Sequence, residues 1–310
     1  MAVTTALALV VTVSSLAQGA TPTTKRVSVR SNGTQANGSS YRQAISGNGR
    51  FVAFDSSAKN LVAGDTNGVN DVFVHDRETK KTKRVSVRSN GTQADEGSYS
   101  PAISGNGRFV AFSSYASNLV AGDSNGTWDV FVHDRETKET RRVSVGSNGA
   151  QADGYSNVPA ISGNGRFVSF ESDATNLVAD DTNHVTDVFV HDWETNETMR
   201  VSVGSNGAQA DEGSGNPAIS GNGRFVAFVS AAANLVADDT NHVTDVFVHD
   251  RETNETKRVS VGLNGAQGDG DSYVPAISGD GRFVAFFSFA TNLVAGDTTN
   301  RSDVFVRGPL

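Results

Sequence analysis

The sequence predicts an all-β fold, a five-bladed β-propeller built from four-stranded repeats. Three observations carry that prediction. The tripeptide Ala-Ile-Ser recurs at Ala44, Ala102, Ala160, Ala218 and Ala276, 58 residues apart with no insertion or deletion. Each unit holds four short runs rich in Val, Ile and Phe, the residues a pleated, buried surface favours. No window sustains a 3.6-residue apolar period, so helix is not expected. A unit of this kind cannot bury both faces alone, and stacking copies around an axis buries them.

The second unit shows the elements in order. Strand A is Pro101-Ala102-Ile103-Ser104. Gly105-Asn106-Gly107 follows, and Asn-Gly suits a tight hairpin because both central residues accept positive φ. Strand B is Arg108-Phe109-Val110-Ala111-Phe112. After a long loop comes strand C, Val130-Phe131-Val132-His133. Asp134 to Thr140 make a polar turn, and strand D is Arg141 to Val145. Phe holds the register: 15 of 17 Phe occupy the positions of Phe51, Phe54 and Phe73 and their repeats. The chain opens with a strand D, Lys25-Arg26-Val27-Ser28-Val29, and finishes with a strand C, Asp303 to Val306. The first is therefore expected to complete the fifth blade and close the ring, removing exposed edges.

Composition sets further bounds. The chain has 310 residues, and the repeat makes residues 20–310 one propeller rather than two domains. Residues 2–17 read AVTTALALVVTVSSLA, too short for a membrane span and suited to a secretory leader. Residues 1–19 are thus expected to be a signal peptide, with a secreted or periplasmic mature chain and no transmembrane segment. Cys is 0, which excludes disulfides and thiolate chemistry. Asp and Glu number 34 against 26 Lys and Arg, a net of -8 that speaks against a nucleic-acid partner.

The segment PAISGNGRFVAFSSYASNLVAGDSNGTWDVFVHDRETKET resembles the WD40-like propeller repeat of TolB-type bacterial proteins. The matching features are the turn Ser104-Gly105-Asn106-Gly107-Arg108, the strand from Phe109 to Phe112, and Asp129 ahead of Val130 to Asp134. The resemblance runs over residues 25–307. It implies the fold, and for function an interaction module of the cell envelope or a propeller attached to a hydrolase.

Two sets of residues are candidates for binding. The B–C loops carry Asp65, Asn67 and Asp71, repeated as Asp123, Asn125 and Asp129, then Asp181, Asn183 and Asp187, then Asp239, Asn241 and Asp245. Oxygen ligands at alternate positions with a later carboxylate suit a structural Ca²⁺. The same residues also serve turns through their own backbone. Tyr41, Tyr99 and Tyr273 share one repeat position, with Asn157 in the third unit. An aromatic beside Asn, Gln and Asp can stack on a sugar and hydrogen-bond its hydroxyls. His75, His133, His191 and His249 end strand C, too far from the axis to share a metal. Asp55 and Glu171 also share a position, and a glycosidase would need such a carboxylate pair.

The function expected from the sequence is a non-catalytic binding module for an envelope protein or an extracellular glycan. A propeller glycoside hydrolase or lyase, and a purely structural surface protein, stand as alternatives.

Overall fold

A computed structural model of the chain describes residues 23–299 and 301–310. The expected signal peptide, residues 1–19, lies outside the described residues. Five antiparallel sheets follow one another along the chain. The first holds β1 (Ser40–Ile45), β2 (Phe51–Ser56), β3 (Asp71–Asp76) and β4 (Lys81–Arg84). The second holds β5 (Ser98–Ile103), β6 (Phe109–Ser114), β7 (Asp129–Asp134) and β8 (Thr140–Arg142). The third holds β9 (Ser156–Ile161), β10 (Phe167–Ser172), β11 (Asp187–Asp192) and β12 (Glu197–Arg200). The fourth holds β13 (Ser214–Ile219), β14 (Phe225–Ser230), β15 (Asp245–Asp250) and β16 (Glu255–Arg258). The fifth holds only β17 (Ser272–Ile277), β18 (Val284–Ser288) and β19 (Asp303–Arg307). The single helical turn among the described residues is a 3₁₀ turn at Leu263–Gly265.

Alternation and stacking explain the core. Phe54 and Phe73 face each other across β2 and β3, and their rings stack at 6.0 Å. The same pair recurs as Phe112–Phe131, Phe170–Phe189, Phe228–Phe247 and Phe286–Phe305. Val85, between β4 and the next blade, joins a cluster with Val72, Val74, Ile103, Val110 and Phe112. Blades are therefore glued by apolar side chains from both neighbours.

The third Phe position is a wedge. Phe109 packs against Trp193 of the next blade at 5.0 Å and under Gly165. Gly165 has φ +82°, and a Cβ there would lie 2.3 Å from Phe109 Cδ2. Glycine is required twice over, by dihedral and by space. Gly165→Ala should cost about 3 kcal/mol, combining ~1–2 for the left-handed residue with ~1–3 for overpacking. Gly149→Ala, at φ +79° with nothing within 4 Å, should cost only the first part, about 1 kcal/mol. Urea midpoints of the two variants check the difference, and equal losses would remove the wedge.

Along the inner side the glycine that opens each A–B turn touches its counterpart in the next blade. Gly47 N–H donates to Gly105 O, Gly105 N–H to Gly163 O and Gly221 N–H to Gly279 O, each at 2.9 Å. At the third junction Asn164 N–H donates to Gly221 O at 3.3 Å.

Ring closure is where the structure departs from the sequence expectation. The fifth sheet stops at β19, and Lys25 to Val29 do not join it. Strand pairs β1–β5, β5–β9, β9–β13 and β13–β17 touch, and no comparable junction joins β17 to β1. Both end faces are open as a result. Ile45 is 59% exposed where Ile103 is 9%, and Val304 is 78% exposed where Val72 is 0%. The N-terminal segment keeps its contact with blade 1. Val29 accepts a hydrogen bond from Thr82 Oγ1, and Thr82 N–H donates to Ser31 Oγ at 3.0 Å. That segment is thus anchored on blade 1, as Val87 and Ser89 are anchored on blade 2.

Candidate binding surface

In each sheet the D–A connection and the B–C loop share one end, and the A–B and C–D turns share the other. The Asp and Asn residues of the B–C loops sit at the first end. There they meet an arginine from strand D. Arg142 Nη1 stands 3.2 Å from Asp123 Oδ1 and 3.3 Å from Asp129 Oδ2. Arg84 links Asp65 and Asp71, Arg200 links Asp181 and Asp187, and Arg258 links Asp239 and Asp245 in the same way.

Asn125 turns its amide nitrogen to Asp129 Oδ2 at 3.1 Å and to the Ala152 carbonyl at 3.0 Å. Asn67, Asn183 and Asn241 repeat the arrangement. Ser144 Oγ donates to Asp129 Oδ1 at 2.5 Å and accepts from Val130 N–H at 3.1 Å. Burial raises the Asp129 carboxyl pKa against these contacts. Burial and the charge of Asp129 push Asp123 up to about 6.

This donor set does not fit Ca²⁺. A guanidinium occupies the place between the carboxylates, and the asparagine offers N–H rather than oxygen. Among the described residues no three His, Asp or Glu side chains gather in a metal-binding group. The arginine was the missing signal: it recurs 13 residues after each strand-C aspartate, on a different strand.

The strand-C histidines are buried inside their blades. Thr140 Oγ1 spends its one hydrogen on the Val87 carbonyl. His133 Nδ1, 2.9 Å from Thr140 Oγ1, must therefore carry the proton and donate. His75, His191 and His249 do the same with Thr82, Thr198 and Thr256. The relay ties strand C, strand D and the preceding D–A segment together. Burial lowers His133, His191 and His249 to about 4, and lowers His75 in the same direction.

The tyrosines expected to form equivalent pockets do not. They stand on strand A, opposite the Asp55 and Glu171 position: Tyr41 faces Asp55, Asn157 faces Glu171 and Tyr273 faces Phe287. Tyr41 is exposed. Asn157 Oδ1 accepts from the neighbouring Val158 N–H. Tyr273 lies 5.6 Å from Phe287, which meets Phe289 edge-on. Tyr99 also enters a three-ring cluster. Its ring is 5.5 Å from Trp128, and Tyr115 approaches Trp128 from the other side at 5.9 Å. Arg42 of blade 1 lies 5.5 Å over the Tyr99 ring. Tyr115 and Trp128 are 13 residues apart on either side of the B–C loop, so their meeting is not visible in the sequence.

The acidic pair is also split. Asp55 sits on β2 of blade 1 and Glu171 on β10 of blade 3, with blade 2 between them in the chain. Glu171 Oε2 accepts from Asn216 N–H of blade 4 at 2.9 Å. Asp55 is fully buried, with Arg42 Nη1 at 3.7 Å. Burial raises the pKa of both.

No family model matches the chain, and no curated protein matches it. Solved structures do. TolB from Acinetobacter baumannii is 14% identical with a TM-score of 0.47, covering 88% of this chain and 55% of its own. This chain thus spans about half the length of that protein. An oligogalacturonate lyase in complex with manganese is 10% identical with a TM-score of 0.53, covering 90% of this chain and 67% of its own. The β-propeller domain of the Trilobed protease from Pyrococcus furiosus, described as having an open velcro topology, is 10% identical with a TM-score of 0.52. It covers 87% of this chain and 69% of its own. At such identities the likeness speaks to fold alone. With the five sheets and the propeller domain at a TM-score of 0.52, the fold is that of a β-propeller.

Proposed function

We propose that this propeller is a non-catalytic binding module that works outside the cytoplasm and takes a glycan on blade 2. One observation carries the reading: Tyr99, Trp128 and Tyr115 form an aromatic cluster at the loop end of the sheet, with Trp128 inclined 54° to Tyr99 and 62° to Tyr115. Tyr115 is 45% exposed, and Arg42 supplies a donor beside Tyr99. Aromatic faces present apolar area at small entropic cost, and a sugar offers C–H faces with hydroxyls around the rim. An extracytoplasmic place is compatible with the absence, among the described residues, of any helix long and apolar enough to cross a membrane.

The test is a glycan array probed with the intact protein, followed by calorimetry on the best ligand. Trp128→Ala and Tyr115→Ala should each weaken binding at least tenfold, about 1.4 kcal/mol. Tyr41→Ala, exposed and outside the cluster, should leave it unchanged. Absence of any glycan binding by the intact protein would refute the reading.

A further inference from the structure

The net charge of -8 conceals a strong asymmetry. Residues 23–92 hold 12 Lys and Arg against 5 Asp and Glu, a net of +7. Residues 151–208 hold 2 against 9, a net of -7. The excess cations of the first part are not spread evenly. Nine of the 12, joined by Arg135 and Lys138 from beyond residue 92, line two grooves built from the start of each D–A connection and the C–D turn of the next strand pair.

The first groove, of about 400 Å³, is lined by Lys25, Arg30, Arg77 and Lys80 together with His75. The second, of about 270 Å³, is lined by Lys83, Arg88, Arg135 and Lys138 together with His133. These are the same four positions, 58 residues apart, and both sets read Lys, Arg, Arg, Lys. Further along the chain the positions become Arg141, Gly146, Trp193 and Asn196, then Met199, Gly204, Arg251 and Asn254. The full set is confined to two adjacent units.

No member of either set forms an ion pair among the described residues. The nearby carboxylates are already taken. Arg50 binds Asp76 at 2.8 Å and Glu78 at 2.9 Å in the first groove's turn. Arg108 binds Asp134 at 2.6 Å and Glu136 at 3.2 Å in the second. Arg77 and Arg135 donate instead to the carbonyls of Gly49 and Gly107, and Arg135 also lies 4.1 Å over the Phe51 ring, so neither forms an ion pair. Four like charges around one groove repel, and a bound anion relieves them. Guanidinium forks beside ammonium groups match carboxylate or sulfate.

We propose that the two grooves bind an anionic polysaccharide, with successive acidic residues of one chain seated in the paired grooves. Concave sites recurring at a fixed interval suit a repeating polymer better than a planar membrane. The acidic surface of the third and following units opposes a partner that must wrap the molecule, as nucleic acid does. The site is separate from the aromatic cluster of blade 2 and does not depend on its role.

The test uses the intact protein and four probes: alginate, dextran sulfate, neutral dextran and phosphatidylglycerol vesicles. Alginate or dextran sulfate should bind, with affinity falling steeply as salt rises, and neutral dextran should not. The exposed substitutions Lys83→Gln with Arg88→Gln should weaken binding at least fivefold. Adding Lys25→Gln and Arg30→Gln should bring the loss beyond twentyfold. Lys257→Gln, at the equivalent position in the fourth blade, should change binding less than twofold. Circular dichroism and melting temperature verify the fold of each variant. The proposal is overturned if neither polyanion binds, if Lys257→Gln weakens binding as much as the double variant, or if vesicles bind more tightly than both polymers.

Discussion

Acidification from pH 7 to pH 5 should remove about 6 kcal/mol of stability through three histidines. Unfolded His protonates near 6.5, whereas His133, His191 and His249 in the fold protonate near about 4. Between these values the unfolded chain binds more protons, so stability falls as pH falls. The contribution is fully present above pH 6.5 and is lost progressively toward pH 4. Each histidine accounts for about 2 kcal/mol between pH 7 and 5, against a usual total of ~5–15 kcal/mol for a domain.

The cause is structural. A second proton on Nε2 would place a charge inside the blade while Nδ1 remains committed to the threonine relay. Buried carboxyls work in the opposite sense, since Asp123 gains its proton near about 6 in the fold and well below that when unfolded. The comparison that isolates the histidines is His133→Gln, whose amide can still donate to Thr140. Its urea-measured loss between pH 7 and 5 should be smaller than that of the parent by about 2 kcal/mol. Identical losses would show that His133 is not held neutral.

The second large effect is expected at Asp129. Asp129→Ala should cost about 3–5 kcal/mol, the range for breaking a buried ion pair from one side. The carboxylate is fully buried and accepts from Ser144, Asn125 and Arg142. Its removal strands a guanidinium, a hydroxyl and an amide. Asp303 holds the same repeat position in the fifth blade but is exposed on β19. Asp303→Ala should therefore cost less than about 1 kcal/mol, as for a surface site. Chemical denaturation of both variants checks the pair. A cost at Asp303 equal to that at Asp129 would contradict the open edge described above.

Much of the fold was legible in the chain because every unit repeats the same local instructions. Asn106-Gly107 specifies the turn, Phe112 and Phe131 specify the stacked pair, and 58-residue spacing specifies the copies. What was less legible involves partners distant in sequence. Asp123, Asn125 and Asp129 present the same loop pattern to a cation or to a guanidinium, and Arg142 enters from another strand. Tyr99, Tyr115 and Trp128 meet only because the B–C loop folds back beside strand A. The fate of Lys25 to Val29 is a matter of contacts across the whole chain, and its Val29 and Ser31 end binds blade 1 through Thr82.

The peptide-to-peptide chain from Gly47 to Gly279 has a consequence for how such a molecule varies. Every joint is made by main-chain groups, and three of the four join glycine to glycine, the third using Asn164 N–H instead, so no joint depends on a side chain. Nothing at the axis counts. A copy gained or lost by the gene would present the same joint to its neighbours, and the specialised surfaces of blades 1 and 2 would travel with their own units. The inner seam is a generic coupling, on which individual blades are free to diverge.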